Sequence, residues 1–227
     1  VVGELALGGG TMAPLVTVER PAAGDPEGLL VLHHGRGTGE SDLLGLADAL
    51  DPARRLRVAS ARGPLQVPGW PGYHWYLVQK VGYPDRVSFE AARAALAGLH
   101  DRLWEETGLG PERTVLAGFS MGAVMSHAMG WSGDRPAVAG VLSFSGFVPT
   151  VAGWRLTLED RTATRAFLAH GTLDPVIEVG FGRAARDQLE AGGIDVTYRE
   201  SDVVHPIYLA NIPVATEWLA ATLGRDG

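Results

Sequence analysis

A chain of 227 residues that is 46% hydrophobic is long enough to bury one sizeable core. Its formal charge of −7 and the lack of any basic run argue against nucleic acid as a partner, and no apolar run is long enough to span a bilayer. The absence of cysteine excludes disulfides, a thiol nucleophile and thiolate metal sites, and it suits a reducing cytoplasm, the compartment expected here.

The first twenty residues alternate weakly around Gly8-Gly9-Gly10 and predict an edge hairpin, Glu4–Leu7 against Leu15–Glu19. Leu29–His33 is a continuous apolar run, as expected of a strand covered on both faces. It leads into His34-Gly35-Arg36-Gly37-Thr38-Gly39-Glu40-Ser41, and a helix is predicted from about Asp42 to Leu50. A glycine-rich loop after a strand can cradle a phosphate, but neither a P-loop Lys-Ser/Thr nor a GxGxxG spacing is present. The other use is half of an oxyanion hole, with the main-chain N–H of Arg36 as donor.

Leu56–Ser60 is the next strand, and residues 62–87 then carry Trp70, Tyr73, Trp75, Tyr76 and Tyr83 without helix or strand periodicity. Two readings of these aromatics stand side by side. They pack on the sheet as a satellite cluster, or they wall a substrate pocket with Trp70, Tyr73, Trp75 and Tyr76 as the binding residues. His74 reads as a pocket or surface histidine rather than a base. From Ser88 to Glu106 the apolar residues Phe89, Ala92, Leu96, Leu99 and Leu103 recur at helical spacing, with Ser88 as N-cap and Gly108-Leu109-Gly110-Pro111 as the stop.

Thr114–Phe119 is a short apolar strand that runs into Gly118-Phe119-Ser120-Met121-Gly122 and then a helix from Met121 to about Met129. A serine in Gly-x-Ser-x-Gly between strand and helix is held in a strained turn, with its hydroxyl above the carboxyl edge of the sheet. The helix N-terminus faces that hydroxyl and favours a developing anion. A plain glycine-rich turn is the competing reading, and the flanking strand and helix decide against it. His127, two turns along the helix, reads as a packed core histidine.

Val138–Phe144 is another strand, and Ser143 and Ser145 are expected near the pocket rather than acting in it. Arg165–His170 follows, and Asp174 lies just past its carboxyl end, where catalytic groups collect in open α/β sheets. An aspartate in an ordinary turn is the alternative. A helix over Val179–Ala191, a last strand over Asp195–Glu200, a loop holding His205, and a helix ending near Leu223 complete the chain. Strands that alternate with helices predict a mostly parallel, doubly covered sheet in a single α/β domain over 1–227, without a separate cap domain.

A serine hydroxyl needs a base to take its proton, and the base needs an acid to orient it. Ser120, Asp174 and His205 meet that need, each after a separate predicted strand and in the chain order of α/β-hydrolases. The main-chain N–H groups of Met121 and Arg36 would receive the oxyanion. The rivals fit less well. His33, His34 and His170 lie in or at the ends of strands, and His100 lies within a helix. Asp202 is too close to His205 in one loop, and Asp187 and Asp195 belong with the penultimate helix.

On Leu32-His33-His34-Gly35-Arg36-Gly37, Gly118-Phe119-Ser120-Met121-Gly122-Ala123, Phe144-Ser145-Gly146, His170-Gly171-Thr172-Leu173-Asp174-Pro175-Val176-Ile177 and His205, the chain resembles the phospholipase/carboxylesterase family of small α/β-hydrolases. The resemblance covers nearly the whole length. It implies a serine esterase for carboxylic esters or thioesters, with no metal and no cofactor. Two positions depart from the family pattern: Val204 stands where glycine usually precedes the catalytic histidine, and Arg36 stands where an uncharged apolar residue is common. The expected activity is a serine carboxylesterase for short- to medium-chain small-molecule esters, in a monomer or homodimer. A lysophospholipase or acyl-thioesterase would use the same residues, and a non-catalytic binding protein on the same scaffold is the other class.

Overall fold

The computed structural model describes residues 14–224. Its strands are β1 (Thr17–Arg20), β2 (Gly28–His33), β3 (Leu56–Ala61), β4 (Val78–Lys80), β5 (Tyr83–Pro84), β6 (Thr114–Phe119), β7 (Gly140–Phe144), β8 (Arg165–Gly171) and β9 (Asp195–Ser201). The helices are α1 (Leu44–Leu50), α2 (Arg86–Thr107), α3 (Met121–Gly130), α4 (Val179–Ala191) and α5 (Ile212–Leu223). Seven strands form one sheet in the order β1-β3-β2-β6-β7-β8-β9. All neighbours run parallel except β1, which is antiparallel to β3 at the edge.

Alternation along the central strands divides the core. Leu29, Val31, Leu116, Val141 and Leu168 face α2, α3 and α4, where they meet Phe89, Leu96, Leu103, Val124, Met125 and Leu189. Leu30, Leu32, Val115, Leu142 and Phe167 face the other way, onto Ala47 and Leu50 of α1 and Trp218 and Leu219 of α5. Both faces are dry, which is why these strands read as unbroken apolar runs. The parallel register also brings the carboxyl ends of β2, β6 and β8 to one rim.

Several local expectations shift. β1 pairs with β3, and the Glu4–Leu7 half of the expected hairpin lies outside the described residues. α2 starts before Ser88: Asp85 is the N-cap, its carboxylate accepting the Ser88 N–H at 2.9 Å. The Ser88 hydroxyl donates back to the same carboxylate at 2.6 Å, so both residues serve the helix start. The segment 62–87 is not wholly irregular, because β4 and β5 form a small antiparallel hairpin within it. Among the described residues no helix is long and apolar enough to cross a membrane.

Candidate active site

The turn between β6 and α3 is built by steric necessity. A Cβ on Gly118 would lie 2.5 Å from the carbonyl of Gly122, and one on Gly122 would strike the carbonyl oxygens of His33 and His34. Only glycine at both positions lets α3 start directly against the end of β2. Ser120 between them has φ 55° and ψ −121°, a conformation L-residues avoid at a cost of about 1–3 kcal/mol. Its N–H is held by Phe144 O at 2.9 Å and its carbonyl by the Val124 N–H at 3.2 Å. The side chain is thereby pushed above the sheet edge.

His205 arrives from the loop after β9. The Ser120 hydroxyl lies 2.8 Å from His205 Nε2, and His205 Nδ1 lies 2.6 Å from Asp174 Oδ2. The Asp174 side chain is fully buried, and its other oxygen accepts the N–H groups of Val176 at 2.8 Å and Ile177 at 2.9 Å. Those two donors compensate a carboxylate that would otherwise be costly to bury. With Oδ2 left as acceptor, Nδ1 of His205 carries the proton, and Nε2 is free to accept from the serine. Ser145, with φ 52°, donates its hydroxyl to the His205 carbonyl at 3.0 Å and so holds the histidine loop. The Phe119 ring, 5.0 Å from the imidazole between centroids, covers one side of it.

The loop after β2 is fastened by His34. Its Nδ1–H donates to Gly35 O at 2.7 Å, and its Nε2 accepts the Gly63 N–H at 2.8 Å. Both roles require the neutral ring, and burial lowers the His34 pKa in the same sense. The Gly37 N–H is taken by Tyr73 O at 2.9 Å. Among the described residues no protein acceptor takes the main-chain N–H of Arg36 or of Met121. Both residues line the cavity that contains Ser120 and His205.

That cavity has a volume of about 310 Å³. Its apolar wall includes Val78, Val81, Phe147, Val176 and Ile177, together with the aromatic Trp70 and Tyr76. The expectation for the aromatic segment therefore divides. Trp70 and Tyr76 line the cavity, while Trp75 and Tyr73 do not. Trp75 is wholly buried beneath the loop after β2, its indole N–H donating to His34 O at 2.9 Å. Tyr73 packs under the Arg62 guanidinium, 4.5 Å away, outside the cavity. His74 is also buried rather than at the surface or in the pocket. The β4–β5 hairpin and Phe147 also supply apolar wall, a contribution invisible in the sequence because short apolar pairs in irregular segments carry no periodic signal.

The other histidines stand apart from the serine. His127 is buried within α3 and accepts the Trp131 indole N–H at 2.9 Å. His170 is buried beside Asp174 and donates through Nε2 to Ile177 O at 2.8 Å, which steadies the turn that carries the carboxylate.

Comparison with known proteins agrees with this architecture. The phospholipase/carboxylesterase family model matches residues 16–222. The chain is 29% identical over 189 residues to acyl-protein thioesterase 1 of Yarrowia lipolytica, covering 78% of this chain and 82% of the relative. It is 29% identical over 204 residues to the esterase YpfH of Escherichia coli, covering 87% and 84%. Among solved structures, the Bacillus cereus carboxylesterase superposes with a TM-score of 0.79 at 24% identity, over 92% of this chain and 94% of that one. Esterase PE8 does so with a TM-score of 0.78 at 28% identity, over 92% and 100%.

Proposed function

This chain belongs to the phospholipase/carboxylesterase family and is a serine α/β-hydrolase of esterase or thioesterase type; on that premise we propose that it hydrolyses short- to medium-chain carboxylic esters through an acyl-enzyme on Ser120. The observation that carries the proposal is the unbroken hydrogen-bonded chain from the Ser120 hydroxyl through His205 to Asp174, at 2.8 and 2.6 Å. As Oγ attacks the ester carbonyl carbon, His205 Nε2 takes the hydroxyl proton, and buried Asp174 stabilises the imidazolium. The carbonyl electrons move onto oxygen, facing the N–H groups of Met121 and Arg36, each donor contributing about 3–4 kcal/mol. Collapse breaks the bond to the leaving alcohol, which receives the proton from Nε2. Water then repeats the sequence on the acyl carbon and restores Ser120.

A thioester fits the same steps, and the likeness to a protein named acyl-protein thioesterase 1 keeps that reading as the second one. The apolar cavity of about 310 Å³ supports a modest acyl group in either case. A fluorophosphonate probe tests the proposal directly. Labelling at Ser120 that disappears in Ser120→Ala supports an enzyme. An unlabelled but folded protein would instead mean a binding protein on a hydrolase scaffold.

A further inference from the structure

The cavity wall contains one permanent cation. Arg36 follows Gly35 in the loop after β2 and lines the same cavity as Ser120, His205 and Trp70. Its guanidinium carbon lies over the Trp70 ring, 4.0 Å from the centroid. The two side chains thus form one layer at the mouth, both exposed. Among the described residues no carboxylate forms an ion pair with Arg36, and no protein acceptor takes its side-chain N–H groups. Other arginines near this loop and on the flanking helices are paired, Arg62 with Glu40, Arg93 with Glu90 and Asp134, and Arg135 with Asp101; Arg36 is set apart from the remaining unpaired ones by its place in the cavity wall.

Stacking on an indole occupies the face of a guanidinium and leaves its N–H edge unspent. That edge is a planar fork matched to a carboxylate, and Arg36 lines the same cavity as the reacting serine. No acidic side chain lines the cavity to compete for it.

We propose that the substrate is an ester bearing a carboxylate, bound by the Arg36 guanidinium at the cavity mouth while its apolar part fills the wall of Val78, Val81, Phe147 and Ile177. The inference deepens the esterase reading and rests on it. A carboxylate can belong to the acyl part or to the leaving alcohol, and substrates of each kind separate the two.

The test compares three esters: p-nitrophenyl butyrate as the neutral reference, mono-p-nitrophenyl glutarate with its acid on the acyl part, and the butyryl ester of 4-hydroxybenzoate with its acid on the leaving group. The readout is the ratio of kcat/KM for each acid to that for the neutral ester. This ratio cancels any change transmitted through the main chain of Arg36. The ratio for at least one acid should fall about tenfold in Arg36→Leu, chiefly through KM, and further in Arg36→Glu. Arg36→Lys should keep a substantial part of it. Ratios within twofold of wild type in both Arg36→Leu and Arg36→Glu would overturn the assignment while leaving the esterase reading intact. If no ester is turned over, the esterase reading fails separately. Calorimetric titration of Ser120→Ala protein with monomethyl glutarate and with the butyryl ester of 4-hydroxybenzoate then reads the Arg36 contact without chemistry. At least one should bind about tenfold more weakly once Arg36→Leu is added, and equal affinities for both would overturn the proposal.

Discussion

Acidification from pH 8 to pH 5 should cost this protein about 4 kcal/mol of stability through two histidines alone. His100 and His127 are wholly buried, and burial lowers each pKa to about 3. In the unfolded chain a histidine titrates near 6.5. A base whose folded pKa is depressed leaves the unfolded state binding more protons below pH 6.5. Its contribution is therefore complete above that value and is lost as the pH falls from 6.5 toward the folded pKa. At pH 5 an unfolded histidine is almost fully protonated and a folded one near 3 is almost bare, so each costs about 2 kcal/mol. The figure is insensitive to the folded value so long as that value stays well below 5. His33, His34, His74 and His170 are lowered too, chiefly by burial, and act in the same direction. Carboxylates contribute little in this window: Glu40 and Glu200, held to about 2 by hydrogen bonds from Arg62 and Arg183, lose their share only below about pH 4.5.

Urea denaturation followed at pH 8, 6.5 and 5 checks this. With a slope of about 2 kcal/mol per molar, the midpoint should drop by roughly 2 M or more across the range. His100→Leu provides the control. That ring stacks near His33 and Trp104, both at 5.9 Å, with Arg135 and Asp101 as the nearby charges, and its Nε2 has no hydrogen-bond partner. An aliphatic replacement should shrink the pH 8 to pH 5 difference by about 2 kcal/mol. Coincident wild-type midpoints at pH 8 and pH 5 would refute the reasoning.

Other variants read the site itself. Asp174→Asn keeps an acceptor for the Val176 and Ile177 N–H groups but no longer fixes the His205 proton on Nδ1, so kcat should fall about 10⁴-fold with circular dichroism unchanged. Gly122→Ala should lower stability by about 3 kcal/mol or more, roughly 6–12 °C in Tm, because its Cβ meets main-chain carbonyls that cannot move aside. A panel of p-nitrophenyl esters should favour butyryl over palmitoyl in kcat/KM, since the cavity holds about 310 Å³. Faster palmitoyl hydrolysis would mean that the acyl group lies elsewhere.

The elements that the sequence exposes most clearly are those whose physics is local. Gly118-x-Ser120-x-Gly122 after an apolar strand requires its turn, and the paired glycines meet backbone on both sides as that turn demands. The β2, β6, β7 and β8 runs are mostly apolar and almost wholly buried because both faces are covered, so their existence and parallel arrangement follow from the pattern. Asp174 and His205 were legible by position after strands, although 31 residues separate them and only the fold closes the 2.6 Å contact. The start of α2 was not, because Asp85 and Ser88 both suit an N-cap and the helix boundary depends on where the β4–β5 hairpin releases the chain.

The aromatic segment shows where pattern alone stops. Residues 73 and 74 are extended and bridge two loops: the Tyr73 N–H donates to Thr38 O at 2.7 Å, and the His74 N–H to Leu65 O at 2.8 Å. An extended stretch alternates its side chains, but composition does not reveal which side faces substrate. Trp75 faces inward and holds the His34 carbonyl, while Tyr76 and the more distant Trp70 reach the cavity. Trp75 and Tyr73 therefore support the loop that carries the Arg36 N–H, through the indole at His34 and through Tyr73 O at Gly37. A donor aimed at a developing charge is effective only if it does not reorganise as the charge forms. On the proposed oxyanion role of the Arg36 N–H, the buried Trp75 indole that does not line the cavity is what keeps that donor still.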